Sequence, residues 1–179
     1  MSLVFHPNGT IEGFNGNSMP SGAVIQAKYA KDTSSQNWQQ SGLGAWADLP
    51  NLSLSITPTS SSNKILVLAH ACGGEQSTIY GLWFRVIRDS TPLGGAATGS
   101  RQSVSMGHVS NSTYTDDQMG SSSFSYMDEP ASTSSLTYKV QGICRYSPHN
   151  WSYNKSYDDN TGGAFAQGVS TLTLLEVKG

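Results

Sequence analysis

Apolar and polar residues alternate with a period of two in several stretches of this chain, the mark of strands that turn one face toward a core. Residues 23–30 set Ala23, Ile25, Ala27 and Tyr29 on one face and Val24, Gln26 and Lys28 on the other, which predicts a half-buried strand. Residues 52–56 alternate strictly until Pro58 stops them, and residues 64–69 are almost continuously apolar, the pattern of a central strand. Residues 80–88 carry Tyr80, Leu82, Phe84 and Val86 on one face and Trp83, Arg85 and Ile87 on the other, so both faces are expected to be covered. The strongest strand pattern spans residues 136–146, with Leu136, Tyr138, Val140, Cys144 and Tyr146 facing one way, and residues 169–177 supply a last strand. Between these, residues 31–44, including Trp38, read as a polar loop. Residues 94–135 are mostly Ser, Gly, Thr and Asn, with weaker strand candidates at 103–109 and 123–127.

The first residues form a different unit. Two short β-prone runs, 3–6 and 10–14, flank Pro7-Asn8-Gly9, and Asn-Gly between such runs is the strongest local hairpin signal. A cluster of turn formers from Asn15 to Gly22 follows. We therefore divide the chain into an arm with its linker at 1–22 and one domain at 23–179. Many short strands, no amphipathic helix and no fixed-period repeat predict an all-β fold, an antiparallel β-sandwich or jelly roll, with the arm as a short N-terminal β-hairpin.

Composition narrows the function. The 179 residues are 36% hydrophobic and only 12% charged, with a net charge of -2. Ser and Thr make up about a quarter of the chain. A surface of hydroxyls and amides suits strands and turns, and the missing basic field argues against nucleic acid or an anionic membrane surface as partner. No apolar run approaches the roughly 18 to 20 residues that cross a bilayer, and the opening MSLVFHPNG lacks the basic start and apolar centre of an export signal. Synthesis in a cytoplasm, without processing, is the expectation, so the five N-x-S/T sequons at Asn8, Asn51, Asn111, Asn150 and Asn154 carry no glycosylation meaning. Cys72 and Cys144 each lie in an alternating run and read as small reduced core residues.

Candidate chemistry is sparse. His70 and Cys72 share a strand face, but His6, His108 and His149 show no ligand spacing, so no metal site is expected. No G-x-S-x-G or Cys/His setting marks a nucleophile. Asp158, Asp159 and Glu129 are carboxylates of the kind glycosidases use, yet they lie in turn-rich segments, where solvated loop residues are the expected reading. Asp158-Asp159-Asn160-Thr161-Gly162 offers clustered oxygen ligands but lacks the later bidentate Glu of a calcium loop, so no cofactor is expected. Trp151, Tyr153 and Tyr157, with Trp38, are aromatics in polar surroundings that suit stacking on sugar rings or burial at a subunit contact. Val4, Phe5, Ile11 and Phe14 are too few for a core of their own and are expected to anchor the arm on a neighbouring protein.

Four motifs, S-I-T-P-T-S-S-S-N-K-I-L-V-L at 55–68, F-R-V-I-R-D-S at 84–90, L-T-Y-K-V-Q at 136–141 and S-T-L-T-L-L-E-V at 170–177, together resemble tailed-phage virion proteins, especially those of marine and cyanobacterial phages. The resemblance implies a compact β-sandwich, often trimeric, at a fibre end or on a capsid, with no catalytic residues. No long repetitive shaft is present, which favours a short decoration, cement or fibre-head subunit. The expectation is a non-enzymatic homotrimer on the virion surface, partnered by other virion proteins of capsid or tail. Its alternative is a module that recognises a host surface glycan.

Overall fold

The computed structural model describes residues 4–5, 11–12, 19–42, 44–76, 81–109, 118–145, 149–158 and 166–179, and every regular element among them is a β-strand. In chain order these are β1 (Val4–Phe5), β2 (Ile11–Glu12), β3 (Val24–Asp32), β4 (Gln36–Gln39), β5 (Ala47–Ile56), β6 (Lys64–Glu75) and β7 (Gly81–Arg88). They are followed by β8 (Thr91–Pro92), β9 (Met106–Val109), β10 (Gly120–Asp128), β11 (Leu136–Cys144), β12 (Asn150–Tyr153) and β13 (Ser170–Val177). All pairings between these strands are antiparallel.

Eight strands form the body, β3, β5, β6, β7, β9, β10, β11 and β13. One sheet runs β3-β13-β6-β10 and the other β5-β11-β7-β9. Among the eight, the first, eighth, third and sixth therefore share one sheet and the second, seventh, fourth and fifth the other, the wrapped Greek-key order of a jelly roll. Strands β12 and β4 extend the first sheet from the far end of β6, and β8 pairs with β7. The inner faces meet in one core: Ile65, Val67, Ala69, Leu172 and Leu174 from the first sheet, and Leu52, Ile56, Leu82, Phe84, Val86, Tyr138 and Val140 from the second. Burying such side chains is worth about 1.5–3 kcal/mol each before chain entropy is counted. Cys72 and Cys144 are buried and not joined in a disulfide, and desolvation raises the Cys72 pKa.

Several elements depart from the sequence pattern. Residues 36–39, expected in a loop, form β4, because β12 offers them an edge to pair with. Strand β5 starts at Ala47, ahead of the alternation seen from Leu52. A bulge explains this: pairing to β11 slips between Asp48↔Gln141 and Ser53↔Lys139, with Asn51 at φ +56°, so that Leu49 and Leu52, three apart, both reach the core. The weak candidates at 103–109 and 123–127 contain β9 and most of β10.

Strand β3 turns Ala27 and Tyr29 away from the core. It lies at the sheet edge with β13 as its neighbour, and its register sets Gln26, Lys28, Ala30 and Asp32 beside the inward residues Glu176, Leu174, Leu172 and Ser170. Ala27 and Tyr29 thus face outward.

Polar pins hold the ends of the sandwich. Glu176 is fully buried, and its Oε1 accepts from Thr59 N at 2.6 Å, Thr59 Oγ1 at 2.8 Å and Asn63 Nδ2 at 2.7 Å, while Gln26 Nε2 donates to its Oε2 at 3.3 Å. Burial alone would raise its pKa, but the hydrogen bonds from Asn63 and Thr59 outweigh it and hold the carboxyl below its usual value. A lowered folded-state pKa contributes stability above the unfolded pKa, and that stability is lost as pH falls through the folded value. Glu176→Gln is therefore expected to cost about 1–3 kcal/mol at neutral pH and to flatten the fall in urea midpoint below roughly pH 5. An unchanged pH profile in the variant would assign that fall to other carboxylates.

Candidate functional site

Strands β1 and β2 pair with each other, Val4↔Glu12 and Phe5↔Ile11, in a two-stranded sheet of their own. Three of the expected anchoring residues, Val4, Phe5 and Ile11, are thereby brought together, while Phe14 lies outside the described residues. The linker is tied to the end of the chain: Lys178 Nζ donates to Met19 O at 2.6 Å and Gly22 N donates to Lys178 O at 2.8 Å.

The expected sugar-stacking aromatics do converge, but inward. Trp151 pairs with Trp38 across β12 and β4, with ring centroids 4.5 Å apart, and Tyr153 lies 5.8 Å from Trp38. Trp151 is 1% exposed and Tyr153 0%. Neither offers an open ring face, so burial corrects their assignment as glycan contacts. Trp38 packs half-buried against the same core, and Tyr157 accepts a hydrogen bond from Asn150 Nδ2 at 3.1 Å. The nearby amide of Asn154 is also spent. Its Nδ2 donates to Asp32 O and Ser34 O, both at 2.9 Å, and its Oδ1 accepts from Ser170 Oγ at 2.6 Å.

The acidic candidates are divided. Asp158 is exposed, Asp159 lies outside the described residues, and Glu129 forms a surface ion pair with Lys64 at 2.6 Å. His70 Nδ1 hydrogen-bonds Ser123 Oγ at 3.0 Å on the outer side of the sheet, while Cys72 Sγ is buried against Asn154.

Two surfaces stand out among the described residues. The first is the outer face of the β3-β13-β6-β10 sheet, where cross-strand register builds continuous rows. One row is Met127, Leu66, Leu175 and Ala27, and the next is Ser125, Leu68, Thr173 and Tyr29. Met127 is 41% exposed, Leu68 37% and Tyr29 62%, and Val24 is open at the end of β3. These two rows contain no charged residue.

The second is a cleft of about 630 Å³ on the outer face of the other sheet. Its floor is Trp83 and Ile143, cross-strand partners on β7 and β11. Close approach by two glycines shapes this floor. A Cβ on Gly107 would lie 2.8 Å from Trp83 Cδ1, and one on Gly81 3.0 Å from Nε1, so the indole is seated where any other residue would push it away. The segment between β8 and β9 forms a wall with Arg101, Gln102 and Val104, and Arg145, just past β11, closes the rim. That wall is tied down by Ser105, whose Oγ donates to Leu93 O at 2.7 Å and accepts from Val86 N at 3.0 Å.

A ladder along the sheet supports the cleft. Lys139 Nζ donates to Asp48 Oδ2 at 3.0 Å, Gln141 Nε2 to Asp48 Oδ1 at 2.6 Å, and Arg85 Nε to Gln141 Oε1 at 2.7 Å. The Arg85 guanidinium sits 4.2 Å from the Trp46 ring centre, and Trp46 Nε1 donates to Gln102 Oε1 at 3.1 Å. The Gln141 hydrogen bond, with help from Lys139 and Arg85, lowers the Asp48 pKa against its burial. Sequence reading missed this cleft, although the large side chains of Trp83, Arg85 and Ile87 on the second face of β7 were its visible signal.

The strands and their order define an all-β jelly-roll sandwich. No protein-family model matches the chain, and a search of curated proteins finds no match. The tailed-phage resemblance is thus carried by its four motifs alone. Among solved structures the chain has a distant likeness to one described as "Structure of infectious bursal disease virus Gx strain", at 8% identity and a TM-score of 0.40. That likeness covers 93% of this chain and 46% of the other, so the chain spans under half of its neighbour's length.

Proposed function

We propose that this chain is a non-enzymatic structural protein of a tailed-phage particle, a homotrimeric decoration or short-fibre subunit on the virion surface. The observation that carries this reading is the uncovered outer face of the β3-β13-β6-β10 sheet, where Leu68, Met127 and Tyr29 stand in rows without charge. Contiguous apolar surface of that kind marks an interaction site, and copies of one chain meeting around an axis bury it on every subunit. The motif resemblance supports the virion setting. The paired β1-β2 arm supports a division of labour in which residues 1–22 dock on another virion protein of capsid or tail and residues 23–179 project.

Light scattering on the full chain at micromolar concentration is expected to give three times 19.1 kDa. Leu68→Glu, a change at an exposed position, is expected to give a folded monomer. Deleting residues 1–22 should leave the trimer intact and abolish attachment to particles. A full-length monomer would sink the assembly reading, and a truncated chain that still decorated particles would move the docking surface onto the sandwich.

A second reading, recognition of a host surface glycan, moves from the buried Trp151 and Tyr153 to the cleft at Trp83, which is open.

A further inference from the structure

We infer that the cleft between β7, β11 and the segment preceding β9 binds a carboxylate-bearing saccharide, with Trp83 as stacking floor and Arg101 on the rim as the carboxylate-binding group. The inference deepens the glycan reading and is independent of the assembly reading. The rim and the floor make complementary demands. Trp83, Ile143 and Val104 give an apolar base against which the C–H face of a sugar ring packs, while Gln102 stands beside it with amide donors for hydroxyls. The guanidinium of Arg101, exposed on the rim of a cleft in a chain whose net charge is -2, selects an anion. No carboxylate lines the cleft among the described residues, so the lining itself does not repel an anion. The carboxylate of the supporting ladder, Asp48, is engaged by Gln141 and Lys139.

Size agrees with this class of ligand. A space of about 630 Å³ lies within the range of small-molecule pockets. The seating is built into the chain. Gly81 and Gly107 let the indole lie close along the strands, and the Trp46–Gln102 hydrogen bond fixes the wall opposite. A stacked ring that needs no rearrangement on binding loses less affinity to ordering. A nucleic-acid strand would also present stacking faces and anions, but the chain as a whole lacks the basic field that such a strand follows.

The test is titration of the full-length protein, by calorimetry and tryptophan fluorescence, with galacturonic acid, a galacturonate tetrasaccharide and a neutral galactose tetrasaccharide. The acidic tetrasaccharide is expected to bind at least about tenfold more tightly than the neutral one, a gap of about 1.4 kcal/mol. Monosaccharide binding as tight as that of the tetrasaccharide would place a single unit in the cleft, and weaker binding would point to a polymer as the source. Either pattern supports the inference. Arg101→Ala, at an exposed position, should remove most of the acid preference while leaving the thermal midpoint in place. Trp83→Ala should lose binding to every probe, and Trp83→Phe, which retains a ring, should recover part of it. The monomeric Leu68→Glu variant should bind as the full trimer does, which separates failure of the cleft from failure of the assembly. Equal affinity for acidic and neutral probes, no binding of any probe, or an Arg101→Ala variant with undiminished preference would each overturn the inference.

Discussion

Asp128→Ala is expected to lower the free energy of unfolding by about 3–5 kcal/mol, because it leaves a mostly buried guanidinium without its counter-charge. Asp128 comes from β10 in one sheet, and its partners come from the other. Arg88 Nη1 on β7 donates to both carboxylate oxygens at 2.6 Å, and the Tyr138 hydroxyl on β11 donates to Oδ2 at 2.7 Å. The three side chains therefore clamp the two sheets together at the end of the core. Burial raises the Tyr138 pKa, and the adjacent carboxylate raises it further. Burial would lower that of Arg88, but the Asp128 hydrogen bond and charge carry it above the ordinary value.

The cost in Asp128→Ala comes mainly from what remains: a charge and a hydroxyl with no acceptor. Asp128→Ala combined with Arg88→Met is accordingly expected to be more stable than Asp128→Ala alone. Denaturant midpoints compared at one protein concentration measure both, since assembly shifts apparent stability by mass action. A single-variant loss under about 1 kcal/mol would place this clamp among the exposed ion pairs.

Trp151→Ala is expected to cost a similar amount, about 3–5 kcal/mol, as a large side chain removed from a packed core. The indole fills the space between Trp38 and the backbone of β11, where a Cβ added to Gly142 would lie 2.6 Å from Trp151 Cη2. Enlarging that glycine meets the same constraint from the other side. Gly142→Ala should cost about 1–3 kcal/mol by overpacking, and combining it with Trp151→Leu should cost less than the two changes summed. Near-ultraviolet circular dichroism should register loss of the Trp38–Trp151 pair together with the fall in midpoint. An exposed ligand platform behaves differently, since its truncation usually changes stability by no more than about 0.5 kcal/mol. A stability loss that small would return Trp151 to the candidate sugar contacts.

Much of the strand content was legible, and much of the site was not. The alternation at 52–56 and 136–146 marks β5 and β11 because strand geometry sends neighbouring side chains to opposite faces whatever the rest of the chain does, while the apolar run at 64–69 and the strand composition of 169–177 mark β6 and β13. Strand β4 escaped because Gln36–Gln39 has no apolar alternation and pairs through its backbone with β12. The cleft was hidden for a related reason. Trp83 sits in a readable strand, but Arg101 comes from a Ser/Gly-rich connection and Arg145 from the end of β11, and only the packing of that connection over the sheet joins them.

Burial of the aromatics followed the same division. Trp151, Tyr153 and Trp38 lie among polar neighbours in the chain, which by itself fits an open surface, whereas pairing β12 onto β6 and β4 turned their rings into the core. Local pattern settles which side chains share a face, since that depends only on the pleat of one strand. Which face turns inward depends on register with the neighbouring strand. For β3, Ala27 and Tyr29 share a face as their alternation requires, yet pairing with β13 points that face outward. Alternation is a property of a few consecutive residues, while sheet order, the Arg88–Asp128–Tyr138 clamp and the cleft are made by residues that only the closed jelly roll brings together.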